Sequence, residues 1–365
     1  MTATLEKPPV TEAPVKEPRD WRGPALFAVV AIIGLVVMPL VLEPFRLGLL
    51  AKYLTYAIVA LGIGLAWGQG GMLTLGQGVF FGLGGYAMGM HLKLNDAGDG
   101  LPDFMVWSGV ETLPALWEPF RNPVFAIAMV VIVPGAVAWL LGTLVFRQRV
   151  RGAYFAILTQ ALAAAMVILL VGQQGLTGGT NGLTNFFEVF GQDVAADSTQ
   201  RGLYFTVAIV LGILFIAVWQ LQRSRFGRLL LAVRDGEDRV RFLGYNPATV
   251  KTITFTLSAV MAGIAGALFV PIVGIISPAL LGVVPSLELV VAVAVGGRFV
   301  LVGAVLGAVL MGYAKTYFSE ELPDAWLYLQ GALFILVIGL APKGIVGIIS
   351  SVRESVAGRK KEVAA

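Results

Sequence analysis

The chain has 365 residues, of which 57% are hydrophobic and 13% are charged, and its mean hydropathy is +0.84. Soluble domains average about 45–50% apolar and about 25% charged residues, so this composition excludes a soluble enzyme and a disordered chain. The lack of cysteine and the single histidine exclude a disulfide framework, a thiol nucleophile and most imidazole chemistry. We therefore expect no metal and no cofactor, and we attribute the net charge of +4 to membrane topology rather than to a nucleic-acid partner.

Long uncharged runs predict the membrane spans. A helix crosses the hydrocarbon core with about 20 apolar residues, and the runs 53–90 and 252–287 are too long for one crossing. The predicted fold class is an all-α, polytopic transmembrane helical bundle of eight to ten spans, and whether 71–91 and 285–297 cross fully stays open. We place the segments near 24–42, 48–67, 71–91, 123–146, 152–171, 202–222, 251–274, 285–297, 299–318 and 325–342.

Positive charge predicts the orientation of this bundle. With a cytoplasmic N-terminus, 20 of the 26 lysines and arginines fall in cytoplasmic stretches and five in external ones, while Lys315 lies inside a segment. Positive residues favour cytoplasmic loops. We therefore expect two cytoplasmic tails, 1–22 and 346–365, around a transmembrane domain at 23–345.

Two sequence patterns bear on the class of transport that the chain could support. The P-loop pattern G-x-x-x-x-G-K-[ST], which cradles nucleotide phosphates, does not occur, so any ATP chemistry would need another chain. Asn122-Pro123-Val124 and Asn246-Pro247-Ala248 resemble the paired boxes of water channels, which must meet at mid-membrane. Both lie at predicted helix starts, where an Asn-Pro pair commonly opens a helix, and that is the interpretation we favour.

The first informative stretch is rich in glycine. Eight of the twenty residues at 70–89 are glycine, and Gln77 is the polar amide among them. Glycine costs a helix about 1 kcal/mol relative to alanine, so its use here indicates close backbone approach or a broken helix that lines a cavity. Tight packing of helices in lipid is the purely structural alternative, and the two are compatible.

The second stretch, 151–186, places Gln160 in the middle of an apolar span. A buried amide requires hydrogen-bond partners, so Gln160 contacts either a neighbouring helix or a substrate. Its outer end, Gly178-Gly179-Thr180-Asn181-Gly182, is rich in turn residues and offers backbone amides and small polar groups. An ordinary connecting loop is the alternative.

The third stretch, 223–251, is too charged to span a membrane. Apolar residues alternate with charges, which predicts short amphipathic helices at the inner surface. Arg234 and Asp238 have the i, i+4 spacing of an ion pair, Gly244 closes the helix and Pro247 blocks its continuation. This segment is either a membrane-surface helix or a docking helix for a cytoplasmic partner.

The fourth stretch begins with Glu288 in an apolar segment that is too short for an ordinary crossing. An ionisable group at membrane depth is expensive and indicates function, unless it lies at the outer rim as an interface carboxylate. Gly296-Gly297 and the later Gly303, Gly307 and Gly312 predict close packing of small residues.

Together these stretches resemble the permease subunits of branched-chain amino-acid-type ABC importers over roughly 45–345. The motifs are Thr74-Leu75-Gly76, Thr177-Gly178-Gly179-Thr180-Asn181-Gly182, Leu231-Ala232-Val233-Arg234-Asp235, and Gly296-Gly297 followed by Gly303 and Gly307. The resemblance implies a multi-pass permease of a bacterial cytoplasmic membrane, not itself an enzyme. It also implies a homologous second permease as heterodimer partner, two ATP-binding subunits that hydrolyse ATP, and an extracytoplasmic substrate-binding protein.

Finer features are similar to the second, longer permease of the urea-transporting branch. They are GQGVFFGLGGYAMGM at 76–90, YFAILTQAL at 154–162, TGGTNGLTNF at 177–186 and Ser286-Leu287-Glu288. The amino-acid branch carries a histidine in place of Gln77 and lacks an acid at the Glu288 position. The resemblance thus implies urea as substrate, with branched-chain or other amino acids or short amides as the alternative.

The chain departs from the family pattern at two places. After Arg298 the urea branch has small residues, whereas this chain has Phe299-Val300. The coupling motif of ABC importers, E-A-A with a glycine after it, reads Asp238-Arg239-Val240 before Gly244, so the acid and the glycine are kept in kind and the two alanines are not.

Urea is neutral and planar, with one acceptor oxygen and four N–H donors, and Gln77, Gln160 and Glu288 offer complementary groups. We expect no well-placed cation at mid-membrane, which favours urea over a carboxylate. The candidate pathway residues are Gln77, Tyr86, Tyr154, Gln160, Thr180, Asn181 and Glu288. The candidate coupling residues, within the loop 223–250, are Arg234, Asp235, Asp238 and Gly244.

The expected mechanism is alternating access, in which the chain forms half of the pathway and external ATPases push on 228–246. Three other classes stay open. A passive amide or water channel would work without ATPases, an ion-coupled carrier would need further mid-span carboxylates, and a membrane scaffold would not need clustered polar groups.

Overall fold

The structure is a computed structural model that describes residues 37–150, 152–321 and 325–340, together with residues 34, 344, 345 and 347. The described chain is mostly helical, and six of its helices are long and apolar enough to cross a membrane. The all-α, multi-span fold predicted from the sequence is confirmed for this part of the chain. The predicted tails and most of the span 24–42 lie outside the described residues.

The elements follow one another in a simple order. The helices are α1 (Met38–Val41), α2 (Pro44–Ile63, continued by a π-helical turn at Gly64–Gln69), α3 (Gln77–Ala97), α4 (Asp103–Trp107), α5 (Pro123–Arg147), α6 (Ala153–Gly172), α7 (Gln174–Thr177), α8 (Asp197–Arg223), α9 (Arg225–Phe242), α10 (Pro247–Val273), α11 (Val283–Gly296), α12 (Leu301–Glu321) and α13 (Trp326–Leu340). Short 3₁₀ turns are Glu118–Arg121 and Pro278–Leu281, and the strands are β1 (Leu183–Thr184), β2 (Glu188–Val189), β3 (Gln192–Asp193) and β4 (Ile275–Ile276).

Two of the predicted segments differ from simple spans. The segment predicted at 71–91 becomes helical only at Gln77, because the chain leaves α2 through its π-helical turn and Gly71 adopts a φ of +69°. The segment predicted at 285–297 is the 14-residue α11. At 1.5 Å per residue α11 is about 21 Å long, shorter than the roughly 30 Å hydrocarbon core.

Helix α10 lies at the centre of the bundle, where it packs against α2, α3 and α5. Its Phe255 is fully buried and meets Phe80 and Phe155 edge to face at ring-centroid distances of 5.4 and 5.2 Å. Helices α5 and α8 lie at the periphery, and their exposed faces carry Ile127, Ile132, Ile209 and Ile213 among others. Such apolar faces are suited to contact with lipid.

The two Asn-Pro pairs open helices. The Asn122 side chain accepts hydrogen bonds from the Val124 and Phe125 amides at the start of α5. Asn246 accepts one from the Ala248 amide at the start of α10. These are ordinary N-caps followed by proline at N1, as the sequence predicted, and they sit on two separate helices.

Candidate functional site

Two helices begin inside the bundle, and their first turns touch. The Gly78 amide near the start of α3 donates a 3.0 Å hydrogen bond to the hydroxyl of Ser286 in the first turn of α11. The Ser286 hydroxyl in turn donates to the Gly282 carbonyl at 2.9 Å. The N-terminus of a helix carries a partial positive charge, and broken helices in transporters aim such ends at a substrate. We call this meeting of α3 and α11 the broken-helix junction.

Gln77 is the first residue of α3 and is fully buried at the junction. Its side-chain nitrogen donates to the Ser258 hydroxyl of α10 at 2.9 Å. Its side-chain oxygen is buried and has no hydrogen-bond partner in the described part of the chain, and neither has the nearby Thr74 hydroxyl. Leaving a buried polar atom unpaired costs about 1–3 kcal/mol, so these oxygens are available to an incoming donor.

Helix α6 covers the junction from one side. The Thr159 hydroxyl accepts a 3.0 Å hydrogen bond from the Leu75 amide, in the non-helical segment that leads into α3. Gln160, the next residue on α6, is half-buried. Thr159 thus lies beside the segment that leads to Gln77, and Gln160 follows it on α6.

The other predicted pathway residues lie further apart. Tyr86 is buried nine residues beyond Gln77 on α3, about 13 Å along the helix, and its hydroxyl has no described partner. Tyr154 is 77% exposed at the start of α6. Thr180 and Asn181 are exposed between α7 and β1. The structure thus does not gather all seven residues into one pocket.

The predicted pathway residue Glu288 has a cation beside it, which the sequence analysis did not expect. Lys315 of α12 lies 2.6 Å from a carboxylate oxygen of Glu288 on α11. Lys52 of α2 is near enough to interact electrostatically with both charges. These residues are far apart in the sequence, and only the packing of α11 between α2 and α12 brings them together. The sequence shows Lys315 inside an apolar segment, but it does not indicate which residue pairs with it.

At the end of the bundle that the sequence predicts to be external, hydrogen bonds and an ion pair hold the connecting loops. Buried Lys93 at the end of α3 forms a 3.0 Å ion pair with Asp103 and donates to the Asn185 carbonyl. The Asp96 carboxylate accepts from the Phe187 and Glu188 amides, and β1 pairs with β4 in antiparallel register, Leu183 opposite Ile276. The loop that carries Thr180 and Asn181 is therefore anchored to α3 and α10 rather than free.

At the opposite end, which the sequence predicts to be cytoplasmic, Arg234 connects α9 to α2. Its guanidinium donates to the Gly68 carbonyl at 2.8 Å, at the end of the π-helical turn, and pairs with Asp235 at 2.8 Å. The nearby Arg298 guanidinium stacks over Trp67 at 4.7 Å. Burial, and then the charge of Arg234, lowers the pKa of Arg298. We call Arg234, Gly68 and Arg298 the inner clasp.

The predicted pairing of Arg234 with Asp238 is wrong. Gly236 has non-helical angles (φ −168°, ψ 74°) and kinks α9 between the two residues, so they no longer share a face. Asp238 instead pairs with Arg241 at 3.3 Å. Buried Glu237 forms a 2.5 Å ion pair with Lys251 and so ties α9 to α10.

The end of α9 presents apolar side chains to the surface. Phe242 is 92% exposed and Leu243 76%, on either side of the helix end that Gly244 terminates with a φ of +87°. Exposed clusters of large apolar residues mark interaction sites. The exposed carboxylates of Asp235 and Asp238 lie on the same helix.

Comparison with known proteins identifies the family of this chain. The family model described as the permease component of the branched-chain amino acid transport system matches residues 45–338. The chain belongs to this permease family. The permease is 24% identical over 342 residues to the high-affinity branched-chain amino acid transport system permease protein LivM of Salmonella typhimurium, covering 88% of this chain and 74% of that protein.

Other relatives of the permease are a further branched-chain amino acid transport permease and a ribose import permease. It is 26% identical over 305 residues to the permease protein LivH of Escherichia coli, covering 80% of this chain and 91% of that protein. It is 26% identical over 211 residues to the ribose import permease protein RbsC of Escherichia coli, covering 53% and 60%. No solved structure matches. The family predicted from the motifs is confirmed, and the permease is a multi-pass membrane protein.

Proposed function

We propose that this permease is the membrane subunit of an ATP-driven importer for urea in a bacterial cytoplasmic membrane. It forms half of the translocation pathway, and a homologous second permease forms the other half. Two ATP-binding subunits and an extracytoplasmic binding protein complete the assembly. The broken-helix junction carries the proposal, because it places two helix N-termini and the unpaired Gln77 oxygen together inside the bundle.

The junction has the chemistry that urea requires. Helix N-termini attract a carbonyl oxygen, and the amide oxygens of Gln77 and Gln160 accept N–H donors. Neutral partners are sufficient because urea carries no net charge. We place Thr180 and Asn181 at the outer entrance, where the binding protein delivers substrate, and Tyr86, Tyr154 and Glu288 along the path.

Import of branched-chain amino acids is the second candidate. Two observations favour it: the relatives LivM and LivH carry that substrate class in their names, and Lys315 offers an ammonium group to a carboxylate. The two candidates share the fold, the partners and the alternating-access cycle, and they differ only in the ligand.

Uptake of labelled urea and labelled leucine tests the proposal directly. The chain is co-expressed with its partner permease, ATP-binding subunits and binding protein in cells that lack their own transport. We expect urea uptake that disappears when the Walker lysine of the ATP-binding subunits is replaced. Leucine uptake alone would reject urea, and urea flux that ignores the ATPase mutation would reject an importer in favour of a channel.

Docking of the ATPases on α9 makes a separate prediction. We expect Asp238→Ala and Gly244→Ala to uncouple ATP hydrolysis from uptake while the protein stays inserted. Each has a matched control outside α9: exposed Asp99→Ala, and Gly274→Ala, where the glycine has a similar φ of +76° and equally open space. Coupled transport at the wild-type level in both Asp238→Ala and Gly244→Ala would contradict the docking assignment.

A further inference from the structure

The charged pair Glu288–Lys315 lies within two helices of the bundle, nearer the outer end of each. Glu288 is eight residues from the inner end of α11, and Lys315 is fourteen residues from the inner end of α12. At 1.5 Å per residue these positions lie about 12 and about 21 Å from those ends. Charges at this depth are expensive in lipid, so their presence requires a partner, a polar cavity or a function.

Lys315 is covered on one side only by the described chain. The Lys315 side chain is 47% exposed, whereas the Glu288 side chain is 20% exposed. The residues one turn away on the same face of α12 are mostly covered: Met311 and Gly312 are buried, and Phe318 is 38% exposed. The Lys315 ammonium is therefore half-open while it pairs with Glu288.

A cavity opens beside the pair. It measures about 80 Å³, roughly five times the ~15 Å³ that a single water molecule needs. Tyr56, Phe81 and Met311 form apolar walls, and the polar groups are Glu288, Lys315 and Gln330. An apolar pocket with a few convergent polar groups is the usual form of a small-molecule site.

We propose that Glu288, Lys315 and Gln330 form a polar subsite for a compact ligand that presents N–H donors beside a carbonyl or carboxylate oxygen. The ligand replaces the direct ion pair: its N–H groups donate to the Glu288 carboxylate, and its oxygen accepts from the Lys315 ammonium and the Gln330 amide. The positive charge of Lys52 nearby favours the same orientation, with the ligand oxygen toward the lysines.

This subsite deepens the proposed function and rests on it. It adds a cation to a site that the junction alone would leave neutral. Urea and an α-amino acid both satisfy its chemistry, because each carries N–H donors within two or three bonds of an oxygen acceptor. Lys315 is then the residue that determines specificity, because a carboxylate gains more from an ammonium group than a neutral carbonyl does.

The test separates a ligand subsite from a simple tie between α11 and α12. The full complex is reconstituted in proteoliposomes with wild-type chain, Glu288→Gln, Lys315→Met or the exchanged pair Glu288→Lys with Lys315→Glu. Exposed Glu320→Gln on the same helix is the matched control. Uptake of labelled urea and of labelled leucine, ATPase rate and assembly by size exclusion are measured for each.

We expect both single variants to lose at least tenfold of the uptake, with Glu320→Gln unchanged. The exchanged pair is expected to assemble normally and still not transport, because the ligand now meets charges in the wrong places. A larger loss for leucine than for urea in Lys315→Met would identify the carboxylate as the group bound. Wild-type uptake in the exchanged pair, or in either single variant, would overturn the subsite. Failure of the wild-type complex to take up either solute would instead reject the proposed function.

Discussion

Replacing Gly266 by alanine is expected to lower the thermal stability of the permease strongly, and replacing it by valine is expected to prevent accumulation of folded protein. A methyl group on Gly266 of α10 would lie 1.8 Å from the Phe81 carbonyl oxygen of α3. The obstacle is backbone, so rotation of a side chain cannot relieve it. Overpacking commonly lowers the free energy of unfolding by about 1–3 kcal/mol. Because this clash is so close, we expect a loss at or above the upper end of that range.

The same helix pair repeats this contact one turn away. A methyl group on Gly84 of α3 would lie 2.0 Å from the Gly263 carbonyl oxygen of α10. Close approach through small residues is a main source of helix association in membranes, where the hydrophobic effect between helices is absent. We therefore expect Gly84→Ala to behave like Gly266→Ala.

Gly212 on peripheral α8 supplies the matched control. A methyl group there meets no atom within 4 Å, so Gly212→Ala tests the same substitution without the clash. It should keep or raise the melting temperature, because alanine favours a helix by about 1 kcal/mol over glycine. Melting of the detergent-solubilised protein, followed by size exclusion, measures both effects. A wild-type melting temperature for Gly266→Ala would refute the close packing.

Removing the hydrogen-bond donors of Arg234 is expected to reduce uptake at least tenfold while ATP hydrolysis continues. The inner clasp joins α9, the proposed docking helix, to the Gly68 carbonyl at the end of α2. From Gly68 only eight residues lead to Gln77 and the broken-helix junction. Movement of α9 therefore has a short, direct route to the proposed substrate site.

Arg234→Met is the variant of choice for this test. The methionine keeps an aliphatic chain against Gly71, where the Arg234 side chain packs, and loses the guanidinium donors. Arg147→Met removes an exposed arginine at the end of α5, outside the coupling loop, and should leave uptake unchanged. Uptake and ATPase rate are measured in the same vesicles, and tight coupling in Arg234→Met would disprove the role of the clasp.

The Gly266 and Arg234 substitutions test different properties: the first tests folding and the second tests coupling. Gly266 acts through packing, so its variants are expected to reduce the amount of folded protein. Arg234 acts at the predicted inner surface, so its variants are expected to fold normally and to lose the coupling of ATP hydrolysis to substrate uptake. If Arg234→Met instead prevented accumulation, the clasp would be a folding contact, and the route from α9 to Gln77 would have no support.

Much of the fold is determined by features that are local in the sequence. Apolar runs of the length of a membrane specified most helices to within a few residues, because backbone groups in lipid must be satisfied within their own helix. Asn246 and Pro247 specified a helix start, since the cap and the proline act on the next few residues. The family motifs are also contiguous, and residues 45–338 match that family.

The arrangement of the polar groups was decided by tertiary structure. Nothing local places Ser258 against Gln77 or Ser286 against Gly78, since 181 and 208 residues separate these partners. The prediction of an Arg234–Asp238 ion pair within α9 was wrong because the helix is kinked at Gly236. Arg234 donates to the Gly68 carbonyl instead.

The sequence by itself thus determined that the chain is a helical membrane protein of this permease family, and it singled out Gln77 and Glu288. Only the tertiary structure decided that α3 and α11 start inside the bundle with touching N-termini, and that Glu288 meets a cation. The physical reason is the distance along the chain over which each interaction acts. Hydrophobic length, capping and glycine breaks act over a few neighbouring residues, whereas an ion pair or a backbone-to-hydroxyl bond between helices exists only once packing has set their relative positions.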